Sequence, residues 1–222
     1  MFVTFSIPII TGLFILLDII IDKCKINGNY YIIHLIANTI VVYNTMQDML
    51  LSYVYKHDIQ SIIPYNNNNL DFTKNIIYSL HFYHIIWYFN KLRKDDWIHH
   101  IIMILIALPL VELLYPSPLI GHCLFFTTGL PGGIDYLLLI FVRNNIINKM
   151  TEKQINNIIN LWIRCPGCIS NATLSLSNLL LNYNILSIYE ILAASIIIIC
   201  VYWNGIYFMA QVTHDYILLK NI

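Results

Sequence analysis

Two pairs of histidines have the residue types and spacing for proton-transfer chemistry, because a neutral imidazole can accept or donate a proton near pH 7. His81 and His84 are three residues apart, so on a helix they would share one face. His99 and His100 are adjacent, and on a helix their side chains would point about 100° apart, too far to face one spot. We therefore predict that one of the adjacent pair does chemistry and that the other supports it.

Asp135 is the acidic residue best placed to assist a histidine. It follows the sequence Pro131-Gly132-Gly133, which interrupts a helix and frees backbone polar groups. In an apolar surrounding such groups must be satisfied by neighbouring protein or by a polar cavity, so the break should face the interior. Asp135 would then either orient a histidine or act as a structural hydrogen-bond acceptor.

Arg164, Asn204 and Tyr207 are further polar side chains within apolar segments, and Arg164 could meet an anionic group. Cys165 and Cys168 have C-x-x-C spacing, but a structural zinc site needs four ligands and only two are offered. We predict a proline kink at this motif. No metal and no cofactor are expected.

The segments that carry these residues are strongly apolar. Of 222 residues, 58% are hydrophobic and only 11% are charged, and the mean hydropathy is +0.66. Soluble domains have about 25% charged residues. The twelve basic residues balance the twelve acidic ones, and no long basic run is present that would bind nucleic acid. The composition predicts an all-α integral membrane protein.

Seven apolar stretches are long enough to cross a bilayer core of about 30 Å as helices. They cover residues 2–21, 30–54, 72–90, 97–114, 118–142, 154–181 and 185–210. Short polar turns separate them, and no linker divides the chain. We predict one antiparallel bundle, a single membrane domain over residues 1–222.

The distribution of lysine and arginine predicts the orientation of this bundle. Nine of the twelve basic residues fall on one face, Lys56 and Lys74 fall on the other, and Arg164 lies inside the sixth span. Because basic residues accumulate in cytosolic loops, we expect a luminal N-terminus and a cytosolic C-terminus. His84, Asp135 and Asn204 would then all lie about 9–10 Å from the cytosolic ends of their spans, which predicts one polar cavity near that face.

Several motifs, in order, resemble the TLC domain family, which includes ceramide synthases, translocation-associated membrane proteins and small lipid-handling proteins. A tyrosine-rich third span leads through the charged turn 91–96 into residues 97–102, WIHHII, similar to the family's His-His helix. Residues 129–136, which contain Asp135, and the closing segment 204–208, NGIYF, are also similar to family motifs. The TLC-like region covers about residues 30–212.

The resemblance implies a multi-pass endoplasmic reticulum protein of lipid metabolism. Ceramide synthases of this family transfer an acyl group from acyl-CoA to a long-chain base with paired histidines. The chain departs from them at 131–135, where only the final acid of a His-Asp...Asp motif is matched, and at His84, where an acid is expected. The residues implied are His99, His100 and Asp135 as catalytic groups, and His84, Arg164, Asn204 and Tyr207 as substrate-binding groups.

Three functions remain open at this point. The first is acyl transfer in a cavity open to cytosolic acyl-CoA, with His99 or His100 as general base. The second is lipid binding without catalysis by the same cavity, in a protein that sets membrane composition. The third is an elongase-like or di-iron lipid enzyme. Against it, the histidine motifs offer few ligands, and Asp96 stands where an elongase box has histidine.

The expected partners are membrane lipids, long-chain acyl-CoA and a second copy of the chain in a homodimer.

Overall fold

The computed structural model describes residues 3–54, 67–114 and 117–221. Within these ranges the chain is all-helical and contains no strand, which confirms the all-α fold class. The predicted loop charge Lys56 lies outside the described residues.

Seven continuous helices run through the described ranges, and a short 3-10 turn, Phe89–Lys91, joins the third to the fourth. They are α1 (Val3–Lys23), α2 (Asn29–Val54), α3 (Asn67–Trp87), α4 (94–113), α5 (118–143), α6 (149–182) and α7 (Ile188–Lys220). Their ends lie within five residues of the predicted spans, except that α7 continues ten residues further. The apolar stretches therefore locate the helices well.

Two of the described helical segments are long and apolar enough to cross a membrane by length and composition. They are Leu119–Arg143 within α5 and Ile188–Lys220, which is α7. Among the described residues this finding marks two candidate spans, where the sequence predicts seven.

The helices turn apolar side chains outward and bury polar ones. On α1, four residues spaced as one helical stripe are 48–64% exposed: Ile9, Leu13, Leu16 and Ile20. Asp18 of the same helix is buried, and so are several other ionisable side chains: Asp48, Lys74, His81, His84, His100 and Glu152. Soluble proteins rarely bury such groups or expose contiguous apolar stripes. The outer surface is therefore suited to an apolar surrounding.

Lys74 is one of these interior groups. Its Nζ lies 2.9 Å from Glu112 Oε2 on α4 and 3.2 Å from Asp71 Oδ1 one turn earlier on α3, and its side chain is 1% exposed. The sequence placed Lys74 among the loop charges, whereas the fold brings it into the bundle. The ion pair holds α3 against α4.

Three helices widen into a π turn directly before a proline. The turns are Met103–Ala107, Phe125–Gly129 and Asn160–Arg164, and the prolines are Pro109, Pro131 and Pro166. Proline has no N–H, and its ring clashes with the carbonyl four residues earlier. A π turn lengthens the stretch of backbone between the proline ring and that carbonyl. The helix can therefore continue through the proline.

Arg164 binds the carbonyl that Pro131 leaves without its usual donor. Thr127 lies four residues before Pro131, and Arg164 Nη2 donates to Thr127 O at 2.6 Å. The guanidinium also lies 3.9 Å from the centre of the Phe208 ring on α7. Arg164, on α6, therefore joins α5 and α7 from within the bundle.

We predict that this hydrogen bond is coupled to Pro131. Arg164→Met should lower the free energy of unfolding by about 1.5–3 kcal/mol, the usual range for a bond to a charged group. In a Pro131→Ala background the alanine N–H can serve the Thr127 carbonyl, so the loss should shrink by about 1 kcal/mol. Denaturant titrations of the four detergent-solubilised proteins measure the coupling.

Pro109→Ala is the matched control for this cycle, because Pro109 follows the π turn of α4, which is not the turn that Arg164 binds. In that background the loss caused by Arg164→Met should be unchanged. Equal losses in the wild-type and Pro131→Ala backgrounds would contradict the coupling.

Gly205 allows α7 to approach α6 closely. A Cβ at this position would lie 2.8 Å from Cys168 Cβ and 3.3 Å from the Cys165 carbonyl oxygen. At Gly12 of α1 a Cβ would meet no atom within 4 Å. The two glycines therefore differ in surroundings while both lie in helices.

We predict that Gly205→Ala lowers the free energy of unfolding by about 1–3 kcal/mol, since α6 and α7 must move apart. Gly12→Ala should leave it unchanged or raise it by about 0.5–1 kcal/mol, because alanine favours the helix. Thermal and denaturant unfolding in detergent compare the two variants. A Gly205→Ala protein as stable as Gly12→Ala would show that the helices are not in close contact there.

Candidate functional site

Five of the eight histidines meet inside the bundle, and we call them the histidine cluster. They come from three helices, and four are buried while one is exposed. The members are His34 of α2, His81 and His84 of α3, and His99 and His100 of α4. The cluster contains three of the seven residues that the sequence nominates for a site.

His81 lies between the two adjacent histidines of α4. Its Nδ1 is 2.8 Å from His100 Nδ1, so one of these nitrogens donates and the other accepts. The ring centres of His81 and His99 are 5.3 Å apart. This differs from the expectation that His99 and His100 cannot serve one spot, because the imidazole from the facing helix reaches both of them.

His84 is the member of the cluster with the most unused hydrogen-bonding capacity. It is 2% exposed, and neither of its ring nitrogens has a partner among the described residues. Its ring centre is 4.9 Å from that of His100 and 4.5 Å from that of His34. Buried polar atoms without partners are costly, so these nitrogens mark a place where a ligand or water can be bound.

Aromatic rings close one side of the cluster. Tyr136 of α5 stacks on His34 with ring centres 4.0 Å apart and planes at 18°. Tyr30 of α2 stacks on His84 with ring centres 5.0 Å apart. The helix that carries Asp135 therefore reaches the cluster through the neighbouring tyrosine.

Asp135 itself forms a hydrogen bond with a residue of α6. Its Oδ1 accepts a hydrogen bond from Asn156 Nδ2 at 2.6 Å, and the same amide lies 3.4 Å from Glu152 Oε1. Asn156 is thus the partner of Asp135 in the described structure, where the sequence had left a histidine partner open.

The remaining nominated residues, Arg164, Asn204 and Tyr207, differ in burial and in hydrogen bonding. Arg164 Nε is buried and has no partner among the described residues, although Nη2 is used by Thr127. Asn204 also buries an unpartnered oxygen, Oδ1. Tyr207 is 45% exposed, and its ring packs on Trp203 at 6.4 Å between centres. Arg164 and Asn204 therefore each bury a polar atom without a partner among the described residues, and Tyr207 lies at the outer surface.

Cys165 and Cys168 are free, buried thiols on α6. They follow the π turn Asn160–Arg164, and Gly205 of α7 packs against them. The motif therefore shapes the packing of α6 against α7 in the described residues.

The start of α4 carries a fixed negative charge near the cluster. Arg93 Nε donates to Asp96 Oδ2 at 3.2 Å, and the Arg93 backbone N–H donates to the same oxygen at 3.0 Å. The side-chain hydrogen bond from Arg93 holds the pKa of Asp96 below its usual range. The ionised carboxylate acts on His99 and His100.

Sequence reasoning noted His81 for its spacing without nominating it as a site residue, and it did not single out His34, Tyr30 or Tyr136. His34 lies five residues into α2, about 8 Å from the end that the predicted orientation makes cytosolic, which is close to the 9 Å predicted for His84. The depth argument applied to the second span would therefore have found it. Tyr136 gives no comparable signal, because tyrosine is common throughout this chain.

Two kinds of chemistry are open to this arrangement. Contacting imidazoles can move a proton to or from a bound molecule, and His99 is exposed and so can be reached. Imidazole nitrogens can also bind a metal ion, and one nitrogen each of His81, His99 and His100 lies within 4.8 Å of the other two. No protein-family model, curated protein or solved structure matches this chain.

Proposed function

We propose that the chain is a seven-span protein of the endoplasmic reticulum membrane that acts on lipids at the histidine cluster. The seven helices agree with the seven apolar stretches, and the outward stripe of α1 together with the buried ionisable groups fits a lipid surrounding. A helix of a multi-span bundle does not need to be apolar on every face, because neighbouring helices satisfy the polar groups that it turns toward the interior.

The proposed orientation has a luminal N-terminus and a cytosolic C-terminus. Nine basic residues lie on the proposed cytosolic face. Of the two on the opposite face, Lys74 is buried against Glu112 and so adds little charge to a loop. The excess of basic residues on the proposed cytosolic face therefore becomes larger when Lys74 is counted as part of an ion pair.

The proposed reaction is acyl transfer from a long-chain acyl-CoA to a lipid acceptor, as the resemblance to TLC proteins suggests. The observation that supports it is the contact of buried His81 and His100 beside exposed His99. An accessible imidazole next to two others is suited to proton transfer at an acyl carbonyl. The exposed position of His99 makes it the better candidate for the general base.

In this reaction the amine or hydroxyl of the acceptor attacks the thioester carbonyl carbon. His99 or His100, in the neutral form, takes the proton of the attacking atom. The C–S bond breaks as the new acyl bond forms, and the imidazolium returns the proton to the departing sulfur of CoA. His81 holds His100 in place through the Nδ1 contact.

Four nominated residues bind substrate in this proposal. The buried Nε of Arg164 and Oδ1 of Asn204 have no partner within the described ranges and can contact polar groups of the substrate. His84 offers two further unpartnered nitrogens, and Tyr207 contacts the lipid chain at the outer surface. Asp135 supports the site through its charge and its bond to Asn156.

The orientation predicts the positions of the chain ends. A glycosylation or protease-accessible reporter fused to the C-terminus should remain in the cytosol, and one fused to the N-terminus should enter the lumen. The physical reason is the nine basic residues that resist translocation. Variants with Lys91 and Lys94 changed to Gln, which removes two of the nine basic residues, provide the control. Both ends on one side would mean that one helix does not span.

The reaction predicts the effects of substitutions in the cluster. Loss of the general base should lower turnover by about 10²–10⁴-fold. We expect a decrease of this size in His99→Ala, in His100→Ala or in both of these single variants. Asp135→Asn should lower it less, because the amide keeps a hydrogen-bonding oxygen for Asn156. The measurement is incorporation of labelled acyl-CoA into lipid by purified protein in liposomes, across several acceptors.

His214→Ala is the matched control, since His214 is an exposed histidine outside the cluster, and its turnover should equal the wild type. A wild-type protein that retains lipid but transfers no acyl group above background would favour lipid binding without catalysis. Equal turnover in the His99→Ala, His100→Ala and His214→Ala proteins would reject a histidine base.

A further inference from the structure

The nitrogens of three clustered histidines are close to the spacing of metal ligands. One ring nitrogen from each of His81, His99 and His100 lies within 4.8 Å of the other two. In a tetrahedral zinc site with Zn–N bonds of about 2.0–2.1 Å, neighbouring nitrogens are about 3.3 Å apart. The His81 and His100 nitrogens, now 2.8 Å apart, would separate by about half an ångström to admit an ion.

From this geometry we infer that His81, His99 and His100 bind one divalent transition-metal ion. Imidazole is a ligand for Zn²⁺, Fe²⁺, Co²⁺, Ni²⁺ and Cu²⁺, whereas Mg²⁺ and Ca²⁺ prefer oxygen. His81 and His100 are 7% and 4% exposed, which gives the site a buried base. A buried pair on two different helices also fixes the ion relative to both.

The exposure of the third ligand gives the site an open side. His99 is exposed while the other two ligands are buried. Three protein ligands with a free coordination position are typical of catalytic zinc sites, in which the fourth ligand is water or substrate. The neighbouring His84 has two unpartnered nitrogens, so it can form a hydrogen bond with that fourth ligand.

The charge balance indicates what the fourth ligand is. Three neutral imidazoles leave the two positive charges of the ion uncompensated. Asp96 supplies a negative charge that acts on His99 and His100, but it is already bonded to Arg93. A low-dielectric surrounding makes the remaining charge costly, so the open position favours hydroxide, a carboxylate or a strongly polarised carbonyl oxygen.

The sequence did not suggest this site because its ligands come from two motifs. Each of the pairs His81-x-x-His84 and His99-His100 offers too few ligands alone. The fold of α3 against α4 places one residue of the first pair between both residues of the second. The set therefore exists only in the folded chain.

This inference rests on the proposed function in one respect only, which is that both proposals place their chemistry at the same histidines. With a metal bound, the open position would hold the thioester carbonyl oxygen, and the ion would polarise that carbonyl. Metal binding by these residues can be measured without any acyl transfer. The two proposals can therefore fail separately.

The test uses the full chain, purified in detergent with a tag that contains no histidine and freed of metal with a chelator. Zn²⁺ and Co²⁺ are added in separate titrations, and the Co²⁺ samples are followed by visible absorption, which reports tetrahedral coordination. The bound metal is then counted by mass spectrometry. The expected result is one ion per chain with a tetrahedral Co²⁺ spectrum.

His99→Ala is the sharpest variant, because His99 is exposed and its loss leaves the buried pair in place. It should weaken metal binding at least about 100-fold, the upper end for loss of an outer-shell partner. His214→Ala, also exposed, should bind as the wild type does. Thermal unfolding of both proteins verifies that they are folded, and His99→Asn replaces His99→Ala if it is not.

Failure of the wild type to bind one ion, or equal affinities of the His99 and His214 variants, would overturn the metal site. Acyl transfer that persists in the chelated protein would leave the proposed function standing without the metal. Stoichiometric metal binding without acyl transfer would keep the site and reject the acyltransferase.

Discussion

Asp18 on α1 accepts hydrogen bonds from Tyr83 of α3, from Tyr88 just after it at 2.8 Å and from Asn29 at the start of α2 at 2.5 Å. The constraint behind this arrangement is that a polar group inside an apolar bundle has no water to bind, so the chain must supply its partner. Lys74 with Glu112, Asp135 with Asn156 and Arg164 with Thr127 follow the same rule. Such pairs fix which helices are neighbours more firmly than apolar contact does, because apolar side chains can pack in many ways.

The histidine cluster is where this rule is only partly obeyed. His81 and His100 satisfy one another, whereas His84 buries two nitrogens without partners among the described residues. Proteins usually tolerate such a deficit at functional sites. Arg164 Nε and Asn204 Oδ1 are likewise buried without hydrogen-bond partners among the described residues, in contrast to the polar pairs that join the helices.

The positions of the helices could be predicted from the sequence because they depend on apolar length alone. The rise per residue predicted equal depth for His84, Asp135 and Asn204, and of these the fold brings His84 into the histidine cluster, whereas Asp135 binds Asn156. The role of His81 as a bridge was not, because it depends on how α3 packs on α4. The partner of Asp135 was likewise hidden, since Asn156 lies on a different helix and looks like any other amide in an asparagine-rich chain.

The ion pair of Lys74 and Glu112 also has a consequence for biosynthesis. The two residues are 38 positions apart, so the lysine leaves the ribosome well before its carboxylate. At about 5–20 residues per second the interval is roughly 2 to 8 seconds. Before Glu112 is made, Asp71, one turn earlier on the same helix, is already in place to balance the lysine charge. In the bilayer proposed for this chain, the part of the ion pair that joins the two helices forms once the fourth helix has followed the third, which favours entry of the two into lipid as a hairpin.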